Sequence, residues 1–225
     1  MKALLYKEFK LAMHPICYVF IFVFPLMILI PSYPLAVGFI YVLSAYPILF
    51  LGANKGQQSN DLLYSTLLPV RKKDIVLARI FTVFAMQFAF IAILSMLYPA
   101  ALAINDLAFQ ASPQESFPGL DLHGFVSVVA FGIIGYSIAD LIFFPIYYKK
   151  GKSIVMSTLF TIIGFVLFLV IFTIVFPFVI PGYMSVFNGE IWYQLIFLAT
   201  SLAIYVGAHV IVYKISARRL EKVDF

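Results

Sequence analysis

The chain reads as an all-α membrane protein with six transmembrane helices and both termini in the cytoplasm. Three observations carry that reading. Hydrophobic residues make up 64% of the 225 and charged residues only 11%, a balance that a soluble globular domain does not carry. Apolar runs of span length alternate with short charged segments. All fifteen Lys and Arg fall in segments that can lie on one side of a bilayer, whereas the segments assigned to the other side hold only acids. Cytoplasmic flanks of spans collect Lys and Arg, so the basic side is the inside.

The elements follow in order. Residues 1–14 contain Lys2, Lys7, Glu8 and Lys10 ahead of the first apolar span; no small-residue cleavage site follows the first apolar run, so no removable signal peptide is expected. From Leu11 to Asn54 no residue carries a formal charge apart from neutral His14. A helix rises ~1.5 Å per residue and the hydrocarbon core is ~30 Å thick, so this run holds two spans. Pro31-Ser32-Tyr33-Pro34 is the turn between them, with span 1 about Pro15 to Ile30 and span 2 about Leu35 to Ala53. A cytoplasmic segment, 54–79, carries Lys55, Arg71, Lys72, Lys73 and Arg79, and span 3 runs from about Ile80 to Ile104. The outer loop 105–122 has Asp106, Glu115 and Asp121 and no base. Span 4 covers about His123 to Tyr147, ending at Lys149, Lys150 and Lys152. Span 5 runs from about Ser153 to Val179, with Pro177 and Pro181-Gly182 at its outer end. Span 6 runs from about Glu190 to Tyr213, followed by a tail with Lys214, Arg218, Arg219 and Lys222. The whole chain is one transmembrane domain.

The net charge of +5 does not point to nucleic acid, because the charges are segregated. The inside holds fifteen basic and five acidic residues, the outside four acidic ones, and Asp140 lies within a span. Contact with anionic membrane lipid follows from that arrangement. Cys17 is the one cysteine, so no intramolecular disulfide forms. Trp192, Tyr193 and Tyr183 are placed at the outer interface and Tyr147, Tyr148 and Tyr213 at the inner one, as an aromatic belt. Pro25, Pro47 and Pro145 interrupt spans, and Pro99 and Pro177 lie near span ends. Kinked helices in lipid pack on neighbours or line cavities, which favours a transporter over an inert anchor.

The most informative segment is Asn60-Asp61-Leu62-Leu63-Tyr64-Ser65-Thr66-Leu67-Leu68-Pro69-Val70-Arg71-Lys72-Lys73-Asp74. Asn60 or Asp61 suits the N-cap of a short helix, and Asp61 also suits its positive end. Leu62, Leu63, Thr66 and Leu67 fall on one face, and Pro69 stops the helix. Asp74 is then placed to cap span 3. So short a helix is marginal in water and needs its own spans, the headgroup layer or a second protein to pack on. The plainer alternative is an amphipathic turn lying on the membrane.

Three stretches together resemble type-2 ABC transporter permeases, especially the small permeases of bacterial peptide exporters such as those for phenol-soluble modulins. They are Lys2-Ala3-Leu4-Leu5-Tyr6-Lys7-Glu8-Phe9-Lys10, the segment from Asp61 to Arg79, and Pro145-Ile146-Tyr147-Tyr148-Lys149-Lys150-Gly151-Lys152. The likeness extends over the whole chain in span count and order, with sequence likeness concentrated in these three stretches. It implies a coupling helix at Asn60, Asp61, Leu62, Leu63, Tyr64, Ser65, Thr66 and Leu67, followed by Pro69 and Arg71, that contacts a separate ATPase subunit. It also implies an interfacial helix bearing Lys7, Glu8 and Phe9, a second permease copy or paralogue, and residence in a bacterial cytoplasmic membrane. ATP and Mg²⁺ would then bind the partner ATPase, with no cofactor on this chain. A short helix with a Leu face suits docking in a protein groove. The N-terminal helix departs from clean amphipathicity, because Leu4 and Leu11 share the side of Lys7, which leaves it loosely held or partly buried. The path between two such permeases, lined by Phe, Ile and Leu, would suit amphipathic peptides, lipid-like molecules or hydrophobic drugs.

The chain carries no nucleotide site of its own. Gly151-Lys152-Ser153 resembles the end of a phosphate-binding loop, but the position five before Gly151 holds Ile146 where that loop needs Gly. Asp140 is the one carboxylate inside a span. It is read either as a gating or subunit-contact residue, paired with His209 or a base from another helix, or as a group reaching the inner headgroup layer.

Gly135-Tyr136-Ser137 and Ala208-His209 resemble the Ser–His dyad of rhomboid intramembrane proteases. Ser137 lies ~18 Å of helix above Lys149 and His209 only ~7 Å above Lys214, a mismatch for a pair that must come within ~3 Å. Ser137 is instead placed in helix packing with Gly132 and Gly135. His14, His123 and His209 are isolated from one another, so no metal site is expected. The remaining alternative, an ATP-independent secondary transporter, predicts buried ion-binding carboxylates and internal repeats, and only Asp140 answers to it.

Overall fold

Backbone groups in an apolar environment must bond within their own segment, and every element among the described residues is a helix. The structure is a computed structural model that describes residues 2–12, 15–29, 70–111, 124–150, 154–179 and 190–222. The expected span 2, the Asn60–Pro69 stretch and Pro181-Gly182 lie outside the described residues.

Helix α1 (Lys2–Lys7) runs on as a π-helical turn, Glu8–Ala12. Helix α2 (Pro15–Leu26) contains Pro25 in its last turn and tightens into a 3₁₀ turn, Met27–Leu29. Helix α3 (Lys72–Ala111) has 40 residues, ~60 Å at ~1.5 Å per residue. It begins well before the expected start at Ile80 and continues past Ile104 into the segment read as outer loop. Its first turn shows why: Arg71 Nε donates to Asp74 Oδ2 at 3.2 Å and the Asp74 amide to the Arg71 carbonyl at 2.8 Å. Asp74 is therefore a first-turn residue near the positive helix end, not the cap itself.

Helix α4 (Phe125–Lys150) contains Pro145, and α5 (Ile154–Val170) continues through a π turn, Ile171–Val175, into α6 (Phe176–Val179). Pro177 sits in α6, where its missing N–H removes a helical bond; a π turn next to it is a usual accommodation. Helix α7 (Ile191–Glu221) passes without interruption through the stretch read as a tail. Among the described residues, three helices are long and apolar enough to cross a membrane (Lys72–Ile104, Phe125–Lys149 and Ile191–Glu221), while Ile154–Val170 is apolar but shorter.

Helix α4 is the most enclosed of the three long helices and α7 the least. It packs along α7 on one side and α5 on the other, while α3 packs against α7, α2 and α1. The α4–α5 contact is close. A Cβ on Gly135 would lie 2.6 Å from the Phe165 ring, and one on Gly164 would meet Ile142 Cδ1. Phe131, Phe168, Phe172 and Phe176 continue that seam as successive ring contacts of 4.6, 4.7 and 4.6 Å.

Helix α7 is arranged inside out. Its buried residues include Gln194, Ser201, Tyr205, Ala208 and Ser216, while Ile191, Leu195, Leu202, Val206, Val210 and Ile211 are exposed. A soluble helix would bury the second set. With Val212 and Leu220 as large apolar exceptions on the inner face, an inner face rich in small and polar residues and an outer face of large apolar ones is the arrangement of a helix surrounded by lipid. Trp192 and Tyr193 are exposed at its start, in keeping with an interfacial belt, but Tyr147 and Tyr148 are buried. The belt expected at that end gives way to packing, because α4 is enclosed on several sides.

Candidate functional site

Two buried polar constellations stand in this apolar bundle. The first forms where α1 meets α3. Leu4 is buried against Ile75 and Ala78, with Leu5 and Val70 at the margin, and one helical turn later Glu8 faces Arg79. Arg79 Nε donates to Glu8 Oε2 at 3.0 Å, Nη2 to Oε1 at 3.1 Å and Nη1 to the Tyr147 hydroxyl at 3.2 Å. Lys7 Nζ adds an ion pair to Glu8 Oε1 at 3.7 Å. Burying a guanidinium is tolerable only with this kind of pairing. The face shared by Leu4 and Glu8 resolves the amphipathicity of α1, since it turns toward protein and leaves Tyr6 and Lys10 outside. Phe9 is half-buried against the main core.

The second constellation lies eight residues further along α3, ~12 Å of helix. Gln87 Nε2 donates to Asp140 Oδ2 at 3.1 Å, and the Tyr205 hydroxyl donates to Gln87 Oε1. His209 Nε2 lies 3.4 Å from the same Asp140 oxygen, and its Nδ1 lies 2.9 Å from the Tyr205 carbonyl. Phe84 covers the imidazole edge-on, with ring centroids 5.9 Å apart. Asp140 and Gln87 are fully buried. A carboxylate from α4, an amide from α3, and a phenol and an imidazole from α7 thus form one connected polar group joining three helices.

The arrangement brings Asp140 and His209 together even though their depths, counted from Lys149 and Lys214, differ by ~6 Å of helix. The counting anchor was at fault. Because α7 continues to Glu221, Arg219 and not Lys214 meets the end of α4, where its Nη1 donates to the Pro145 carbonyl. Ser137 takes no part. Its hydroxyl donates to the Ile133 carbonyl of its own helix at 2.8 Å, so no Ser–His dyad is assembled. Thr82, Thr161 and Thr200 likewise bond one turn back. Among the described residues, no three His, Cys, Asp or Glu side chains come together to hold a metal ion.

Of the residues expected to act together, Arg71 stands just before α3, and Lys7, Glu8 and Phe9 lie on the segment that docks near its start. Asn60, Asp61, Leu62, Leu63, Tyr64, Ser65, Thr66, Leu67 and Pro69 lie outside the described residues. Gln87, Tyr205 and the Glu8–Arg79 pair were not singled out from sequence. Gln87 was nonetheless conspicuous as an amide deep in an apolar run, and Tyr205 precedes His209 by one helical turn. No family model, no curated protein and no solved structure matches this chain.

Proposed function

We propose that this chain is the membrane-spanning permease subunit of a type-2 ABC exporter in a bacterial cytoplasmic membrane. ATP and Mg²⁺ bind on a separate ATPase subunit, and a second copy or paralogue completes the translocation path. The cargo class is amphipathic peptides or hydrophobic, lipid-like molecules. The observation that carries the reading is the Glu8–Arg79–Tyr147 clamp. It lies two turns into the helix that follows the Asn60–Pro69 segment, and it ties the N-terminal helix, α3 and α4 into one unit. A force applied to that segment by an ATPase would pass into α3 and α4 without being lost in a loose joint. The six-span topology with inward termini, resting on charge segregation, belongs to the same proposal.

The test is whether a Walker-type ATPase copurifies with the full chain from its native membrane, before and after replacing residues 61–67 with a Gly/Ser linker. Loss of association or of transport-coupled ATP hydrolysis is expected. Association and coupling that survive the linker would overturn the reading.

A second reading, an ion-gradient-driven transporter, is favoured by one observation, the complete burial of Asp140 beside His209. Export that persists in vesicles lacking nucleotide but holding a proton or sodium gradient would select it.

A further inference from the structure

We propose that Asp140 and His209 form an intramembrane proton-binding site, in which one dissociable proton resides at the 3.4 Å contact between the buried His209 Nε2, which has no hydrogen-bond partner, and Asp140 Oδ2, and holds α7 against α4. The inference is independent of how transport is driven.

The tautomer follows from the partners. A backbone carbonyl carries no proton, so the 2.9 Å contact between His209 Nδ1 and the Tyr205 carbonyl requires Nδ1 to be the donor. A neutral imidazole has one N–H, which leaves Nε2 with a bare lone pair, 3.4 Å from Asp140 Oδ2. Two lone pairs at that distance in a buried site repel each other. A second proton removes the conflict, either on Nε2, giving imidazolium against carboxylate, or on Asp140, giving a carboxylic acid that donates to Nε2. Both forms hold the same number of protons and the same net charge. Loss of that proton to water leaves a buried carboxylate facing a neutral imidazole, and α7 loses its charged attachment to α4.

The surroundings support one exchangeable proton. Gln87 Nε2 donates to the same Oδ2, so that oxygen is built to carry negative charge. Among the described residues, the groups in contact with the imidazole are Asp140 from α4, Tyr205 from α7 and, from α3, Phe84, which does not titrate. Between Ile154 and Val179 the sequence holds no titratable side chain. Asp140 is sealed, while 13% of the His209 side chain remains accessible.

The experiment is ¹⁵N NMR of the full chain, labelled at histidine and reconstituted in phosphatidylglycerol-containing nanodiscs without any ATPase, recorded across pH. H209Q assigns the signal among His14, His123 and His209. The expected result is a His209 that keeps its Nδ1–H throughout and loses a single proton from the Nε2 side on raising pH, with the doubly protonated or acid-bonded signal absent in D140N. A wild-type His209 with a proton on Nε2 and a bare Nδ1 overturns the proposal. So does a D140N spectrum that titrates as wild type. The wild-type titration decides the matter even if D140N fails to fold.

Discussion

Arg79 and Glu8, 71 positions apart in the chain, meet through two parallel charge-assisted hydrogen bonds of 3.0 and 3.1 Å in a site from which both are almost wholly withdrawn. The planar fork of the guanidinium matches the two carboxylate oxygens, and its remaining edge reaches Tyr147. A lysine cannot reproduce that geometry. The pair therefore fixes the N-terminal segment against α3 and, through Tyr147, against α4.

Removing one partner leaves the other buried without its bidentate mate, keeping Tyr147 for Arg79 or Lys7 for Glu8; breaking a buried pair costs up to about 3–5 kcal/mol. Glu8→Gln and Arg79→Ala are expected to lower the thermal midpoint of the protein in detergent, and Arg79→Lys to recover only part of the loss. An unchanged midpoint in Arg79→Ala would mean that the pair contributes nothing to the assembled bundle.

The α4–α5 seam gives a prediction that separates two glycines. At Gly135 an added methyl meets the rim of the buried Phe165 ring, with Phe168 just behind it. At Gly164 it meets only the end of the Ile142 side chain, which can turn away. Overpacking of a tight core costs ~1–3 kcal/mol. Gly135→Ala should lower the thermal midpoint clearly and Gly164→Ala little. Equal effects would show that the seam is not built as described.

Helix α7 does not end in a loose tail. Leu220 is fully buried and Val212, Ser216 and Ala217 lie on the same inner face. Truncating a buried Leu to Ala costs about 2–5 kcal/mol, so Leu220→Ala should destabilise the protein while Ile215→Ala, at a partly exposed position, should do so much less. Limited proteolysis checks the same point, since cleavage after Lys214 should be slow in the intact bundle.

Trp192 is the one tryptophan, and 69% of it is exposed at the start of α7. An indole at a helix end belongs at the headgroup level. In brominated-lipid vesicles its fluorescence should be quenched most by bromines near the carbonyl region and least by those near the chain ends. The opposite depth order would place the start of α7 deep in the bilayer and displace the proposed topology.

The sequence by itself determined that the chain is helical and that its long helices are apolar enough to cross a membrane. Those properties depend on composition and run length, which need no partner: a backbone surrounded by hydrocarbon has the helix as its way of bonding within one segment. Asp140 and His209 were also legible as unusual, because an ionisable group in an apolar run is conspicuous without coordinates. Their contact was legible only as one option, since distance along each helix depends on where the helix is anchored, and the sequence reading placed the end of α7 at Tyr213 rather than Glu221. Tertiary structure alone decided that Gln87 and Tyr205 complete the group, that Tyr147 serves Arg79 rather than a headgroup, and that Leu4 and Glu8 turn inward. Each is a pairing between residues distant in sequence. No local periodicity encodes such a pairing, because it is set by which faces of separate helices come to share one buried space.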